Sequence, residues 1–334
     1  MLKNISRSAL VTLALMTTAT TALAGSGLRV GSAGAQELLL PVGARGYALG
    51  GGIVGNVSGV EAAYYNPAGV SKYTGTEIMF THMPYLAGID VNFFGVSRSM
   101  GEWGSLAVAA KVVNIGDIEE TTGNASEGTG AVFNPTLSVI GVTFSRQMTN
   151  RVGFGLTANY ISENIFEVSA SGVAFDFGFT YETGWNGVGL GMVIKNLGTD
   201  LRFSGTGFDR RSPDLGPRNV RPSNALSDLP SYIVLGAAYT PPTQSLSKVT
   251  FTGNFQSNNY NEDAWVGGAE YGWNEKFFLR GAYNYSVQEN YIYGLSAGAG
   301  LRTALGEGTF DIEAGWRETE FFADEVVFTG KLGF

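Results

Sequence analysis

His82 is the sole histidine of this chain and there is no cysteine, so the residue types that most often carry nucleophilic, redox or metal chemistry are nearly absent. A Ser-His-Asp relay needs an imidazole between nucleophile and acid, and His82 stands in Thr81-His82-Met83-Pro84 with no nucleophile motif around it. Paired acids occur at Glu119-Glu120 and at Glu318 and Glu320. They fall in polar stretches that read as loops, where solvated faces or loose cation sites are commoner than glycosidase carboxylates. These residues assign no catalytic group, no metal site and no cofactor. The densest charge is Arg202, Arg210, Arg211, Arg218 and Arg221. Guanidinium forks match carboxylates and phosphates, so this loop is a candidate docking site for an acidic partner or lipopolysaccharide, with a merely solvated loop as the alternative. The net charge of -8 argues against nucleic acid as a partner.

From residue 76 onward apolar residues recur with period two, the signature of strands with one apolar and one polar face. In Val173 to Glu182, Val173, Phe175, Phe177, Phe179 and Tyr181 alternate with Ala174, Asp176, Gly178, Thr180 and Glu182. The same alternation predicts about fourteen strands: 76–82, 89–100, 104–115, 136–147, 152–164, 173–182, 187–196, 230–240, 248–257, 264–273, 277–285, 293–302, 308–317 and 325–334. Most reach the roughly 9 to 11 residues that cross a bilayer at a tilt. Short connections (101–103, 147–151, 183–185, 241–247, 274–276) alternate with others that include the long polar 116–134 and 197–229. This is how outer-membrane barrels sort periplasmic turns from outer loops. Asp176, Glu182, Lys195, Arg280, Asp311, Glu313 and Arg317 fall on the polar face, which would line a lumen, while the other face is almost free of charge. A soluble β-sandwich also alternates, but has no reason to sort its loops. The fold expected is all-β, a transmembrane antiparallel β-barrel, since only helices and closed barrels satisfy every backbone group in lipid.

The two ends supply an address. Lys3 and Arg7, an apolar run from Ala9, and Ala22-Leu23-Ala24 make residues 1–24 an expected signal peptide. At the other end Val326, Phe328, Gly330, Leu332 and Phe334 share one face. A terminal aromatic such as Phe334 resembles the insertion signal read by the barrel-assembly machinery. Both point to the bacterial outer membrane, with membrane lipid and lipopolysaccharide as surroundings.

Residues 25–75 do not alternate. Short helices are expected near Ala35 to Leu40 and Val60 to Tyr65, the second ended by Pro67 and Gly69. Two arrangements fit: a hatch folded into the lumen, or an arm outside it. The apolar residues here favour the hatch, since outside they would face water. Domain bounds are therefore 1–24, 25–75 and 76–334. Within Asn66-Pro67-Ala68-Gly69, Pro67 has no amide donor and Gly69 can take positive φ, which suits a helix stop. Arg45, if it lies in a lumen, needs an inward carboxylate.

The stretch Pro41 to Gly52, containing Gly43-Ala44-Arg45 and Gly50-Gly51, followed by Tyr65-Asn66-Pro67-Ala68-Gly69, resembles the opening of the PorV/PorQ family, a branch of the FadL-like barrels. Leu49 stands where that family has Met, and Asn56 to Glu61 where it has an acidic Ala-Asp-Asp-Ala stretch. Asn196 to Phe203, Leu229-Pro230 and Leu279 to Tyr283 resemble later landmarks. The resemblance implies a fourteen-stranded barrel with a lumenal hatch. It also implies a non-enzymatic role in protein secretion of the type IX kind, with cargo proteins or a translocon bound at the cell surface. The alternative is FadL-like transport of a hydrophobic ligand, with Gly281, Gly294, Gly298 and Gly300 as places where the wall can bulge or, as strand glycines more often do, relieve crowding in the lumen.

Overall fold

The structure is a computed structural model and describes residues 31–208, 225–288 and 291–334, with the backbone at 210–211 and 219–220. The segment read as a signal peptide lies outside the described residues.

Fourteen long antiparallel strands follow one another around a closed barrel. They are β1 (Thr76–Pro84), β2 (Asp90–Ser99), β3 (Ser105–Asn114), β4 (Thr136–Gln147), β5 (Val152–Ile165), β6 (Val168–Glu182) and β7 (Val188–Gly198). The second half is β8 (Tyr232–Tyr239), β9 (Lys248–Asn258), β10 (Ala264–Trp273), β11 (Phe277–Ser286), β12 (Tyr293–Leu305), β13 (Gly308–Thr319) and β14 (Glu325–Gly333). Closure is made by β1 against β14, with Glu77 opposite Gly333 and His82 opposite Phe328. Phe334 completes that seam: its N–H donates to the Thr76 carbonyl at 2.9 Å and its carbonyl accepts from Thr76 N–H at 2.7 Å. A closed sheet has no free edge, which is what lipid demands.

Alternation decides which side chain meets which medium. Along β6, Val173, Phe175, Phe179 and Tyr181 are exposed on the outside, while Ala174, Asp176, Gly178 and Thr180 are buried within. Phe80, Phe94, Ile140, Leu235, Leu279 and Phe328 continue the outward apolar surface. In water so much exposed apolar surface is untenable; in hydrocarbon it is the lipid contact. The exposed Tyr181, Trp185, Tyr239, Tyr271 and Trp273 cluster at the end with short turns, the place for an interfacial belt. The barrel therefore sits in the bacterial outer membrane.

Loop lengths sort less strictly than the sequence implies. The β5–β6 connection, on the long-loop side, is only Phe166-Glu167, with Phe166 at φ 52. These two strands are long, 14 and 15 residues, and extend beyond their neighbours before turning.

The pairing slips twice. Between β6 and β7, Phe175 pairs with Leu197 but Phe177 with Ile194, so Lys195 and Asn196 together oppose Asp176. Asn196 takes φ 58 and its N–H donates to Asp176 Oδ1 at 2.7 Å, which fixes this bulge with a buried carboxylate. Between β12 and β13 the slip falls at Gly294 and Leu295. Of the four wall glycines considered above, only Gly294 marks a bulge. At Gly298 a side chain would collide with Ala48, 2.5 Å from the new Cβ, so that glycine makes room for the N-terminal segment.

Candidate functional site: the lumen and the segment inside it

Residues 31–75 run down the inside of the barrel. Gly34 N–H donates to the Asp228 carbonyl in a long loop at 3.0 Å, and Lys72 Nζ reaches Glu182 at the short-turn end at 2.5 Å. Between these anchors lie a 3-10 turn (Gln36–Leu39), α1 (Ala44–Ala48), α2 (Ala62–Tyr65) and a second 3-10 turn (Pro67–Lys72). Each is too short to be stable alone. Burial holds them: Tyr47, Leu49, Ile53, Val57 and Val60 are essentially inaccessible. Gly50 and Gly51, at φ 61 and 83, reverse the chain after α1. A Cβ on Gly50 would meet the Asn284 amide at 2.7 Å, so this turn needs glycine for both conformation and space.

The Asn-Pro-Ala-Gly motif works differently from a simple stop. α2 does end at Tyr65, but Pro67 opens the next 3-10 turn, where its missing N–H costs nothing. Asn66 Oδ1 accepts from Ala68 N–H at 3.2 Å, and its Nδ2 donates to the Val54 and Phe179 carbonyls at 2.9 and 3.0 Å. Asn66 thus ties the segment to β6. Gly69 is not at positive φ; its reason is close packing, since a Cβ there would lie 2.4 Å from the Val57 carbonyl oxygen. Opposite, Gly155 and Gly178 leave room for the backbone of Pro67 and Ala68.

On the β10–β14 side the segment is held by charge. Arg45 Nε and Arg280 Nε share Glu270 at 3.0 and 2.6 Å. Arg280 continues to Glu313 at 2.8 Å, Glu313 to Lys331 at 2.9 Å, and Lys331 to Glu61 at 2.9 Å. Glu61 also accepts from Gly46 N–H at 2.8 Å, so the chain of three cations and three anions starts and ends on the N-terminal segment. A second cluster joins Tyr47, whose hydroxyl donates to Glu325, with Arg317, which bonds the same carboxylate at 2.6 Å. The Arg317 guanidinium stacks on Tyr293 at 3.7 Å.

On the β3–β7 side, away from the Lys72–Glu182 pair at the short-turn end, the anchors are carbonyls and a ring. Lys111 Nζ donates to the Leu40 carbonyl at 2.7 Å, and Lys195 Nζ donates to the Tyr64 carbonyl. Both ammonium groups lie over the Tyr64 ring, at 4.7 and 4.0 Å. Lys195 also faces Asp176 at 3.5 Å. Above them Glu37 is buried, and neither of its oxygens receives a hydrogen bond. Burial, and then the neighbouring Glu163, push its carboxyl up to about 7. Protonation would give Glu37 a donor for the neighbouring Glu163 carboxylate to accept.

The residues singled out by sequence divide as follows. Arg45, Gly50, Gly51, Asn66, Pro67, Ala68 and Gly69 lie in the segment inside the barrel. Asp176, Lys195, Arg280, Asp311, Glu313 and Arg317 are buried inward. Glu182 is largely exposed at the lumen's short-turn end, beside Lys72. Arg202 is exposed on its loop; Arg218 and Arg221 lie outside the described residues, as do the side chains of Arg210 and Arg211. His82 bonds Asn92 across β1 and β2 on the outer face, away from the lumenal acids. Sequence reasoning missed Glu61, Lys111, Lys331 and Glu325. Lys111 and Lys331 carry a signal, each interrupting an apolar strand at inward phase.

At the long-loop end, above the segment, lies a cavity of about 740 Å³. It is bounded below by Tyr47, Tyr64 and Gly51, and at the mouth by Tyr85, Tyr260 and Tyr291. Its volume falls in the range of small-molecule pockets.

The fold is that of the FadL-like outer-membrane channels. In fold the chain is similar to the CymD monoaromatic hydrocarbon channel, at TM-score 0.56 and 13% identity over 89% of this chain and 98% of that one. It is also similar to the Pseudomonas putida toluene transporter TodX, at TM-score 0.55 and 13% identity over 87% and 97%. A Pseudomonas aeruginosa FadL homologue matches at TM-score 0.50 and 11% identity over 88% and 98%. No family model matches the sequence, and no curated protein does.

Proposed function

We propose that this protein is an outer-membrane channel that takes small, largely hydrophobic molecules from the cell exterior. The observation that carries the reading is the cavity of about 740 Å³ at the outer mouth, floored by the N-terminal segment. An open diffusion pore would not block its own lumen in this way. Similarity in fold to channels described as carrying monoaromatic hydrocarbons and toluene supports the same direction. Passage then requires the segment, held by charge on one side and by carbonyl contacts on the other, to shift locally rather than to leave. Among the described residues no charged cluster has the geometry of a hydrolase relay, and the reading is non-enzymatic.

The secretion role implied by the PorV/PorQ resemblance receives no support from the comparisons, which contain a channel described as one for monoaromatic hydrocarbons and a toluene transporter instead. The two roles separate in one experiment. Deleting the gene is expected to abolish uptake of a radiolabelled hydrophobic compound at low external concentration and to leave exported proteins correctly delivered. Unchanged uptake with exported proteins trapped in the periplasm would replace this reading by the secretion one.

A further inference from the structure

The chain has 21 phenylalanines and 15 tyrosines, and the barrel sorts them. Eight of the tyrosines line the outer cavity, and no phenylalanine among the described residues does. Phenylalanines such as Phe80, Phe94, Phe175 and Phe251 face lipid instead. Between the tyrosines stand amides, including Asn254, Gln256 and Asn258 along β9 and Asn284 on β11. The cavity therefore has aromatic walls with hydrogen-bonding edges, which a plain hydrocarbon would desolvate without replacing the lost bonds.

The charges narrow the ligand further. Among the described residues two cations line the cavity, Arg317 and Lys195. Arg317 is paired with Glu325 at 2.6 Å, and Lys195 faces Asp176 at 3.5 Å and donates to the Tyr64 carbonyl. Glu37 and Glu262 add acid to the same lining. Neither cation is left over to neutralise a carboxylate on a ligand.

The tyrosines also divide by where they stand. Tyr47 and Tyr64 use theirs on Glu325 and on the Leu39 carbonyl, inside the barrel. Tyr260, Tyr291 and Tyr293 are partly exposed near the mouth, with Tyr291 and Tyr293 edge to face at 5.8 Å. An edge-to-face pair presents one ring face and one ring edge to whatever lies beside it.

Resting on the channel reading above, we propose that the ligand is a neutral aromatic molecule bearing hydroxyl groups, recognised by ring stacking and by hydrogen bonds to the tyrosines and amides of the outer cavity. A site built to bond a hydroxyl discriminates against the analogue that lacks it, because its own polar groups are then left unpaired.

The test uses the purified full chain in detergent and three probes of one shape: 2-naphthol, naphthalene and 2-naphthoate. The expected result is 2-naphthol bound at least tenfold more tightly than either of the others. A variant carrying Tyr260→Phe, Tyr291→Phe and Tyr293→Phe should bring 2-naphthol to the naphthalene level and leave naphthalene binding unchanged. Naphthalene bound as tightly as 2-naphthol by the unaltered protein would overturn the hydroxylated class while leaving a hydrocarbon channel standing. Preference for 2-naphthoate would overturn the neutral ligand. Binding of none of the three, together with unchanged cellular uptake on gene deletion, would overturn the channel reading as well.

Discussion

Strands β10 to β14 grip the N-terminal segment with buried charges of both signs, whereas β3 to β7 grip it with lysines aimed at backbone carbonyls, one pair of acids and, at the short-turn end, the more exposed Lys72–Glu182 pair. On the first side every cation has a carboxylate within 3.0 Å, running from Arg45 through Glu270, Arg280, Glu313 and Lys331 to Glu61. On the second, Lys111 has a carbonyl and a ring as its direct contacts. Buried ion pairs add little net stability compared with apolar packing, but losing one partner is costly, so the ionic side specifies one position for the segment. Contacts to carbonyls and rings are individually weaker, and the Glu37–Glu163 pair changes with pH. The contrast assigns a fixed hinge to one side and a yielding contact to the other.

The largest effect that tests this contrast is expected from Lys331→Met, which strips Glu61 and Glu313 of their shared cation. A loss of about 3–5 kcal/mol is expected, read by urea unfolding in detergent. Arg45→Met should cost less, about 1–3 kcal/mol, because Glu270 keeps Arg280. Equal losses for the two would remove the idea of a graded network. Next comes crowding: Gly178→Ala places a Cβ against Asn66 and Pro67 and should cost about 1–3 kcal/mol, with faster protease cleavage near Pro67 to Lys72.

The yielding side is tested by pH. Burial and Glu163 raise the Glu37 carboxyl from its ordinary 4.5 to about 7. A carboxyl raised on folding stabilises fully below its unfolded value, and that contribution fades as pH climbs through the folded one. Amide protection factors over residues 34–40, corrected for intrinsic exchange, should therefore fall between pH 5 and pH 8, and Glu37→Gln should flatten that dependence. A flat profile in the unaltered protein would show that the pair does not hold the segment. Smallest of all, Glu275→Ala removes the exposed partner of Lys248 at the short-turn end and should change stability by under about 1 kcal/mol.

Much of the barrel was legible without coordinates. The alternation of Val173 to Glu182 gives the face of every residue in β6, and the same period places Asp176, Lys195 and Arg317 inward. What was misjudged is instructive. The β5–β6 connection is two residues long where outer loops were expected to be longer, because strand pairing extends as long as both strands keep finding backbone partners. Gly69 is needed for closeness rather than for φ, and only the packed neighbour Val57 reveals that. Glu61 sits in a stretch noted only for departing from a family pattern; its role depends on Lys331, 270 residues away.

The sequence by itself determined that this chain alternates into about fourteen lipid-crossing strands with a non-alternating segment ahead of them, because a period of two is a local property of neighbouring residues. It could also say that Arg45 needs a carboxylate. That the carboxylate is Glu270, 225 residues further on, was decided only when the barrel closed. Closure brings distant strands around one lumen, and there, with little water to screen them, charges must find one another.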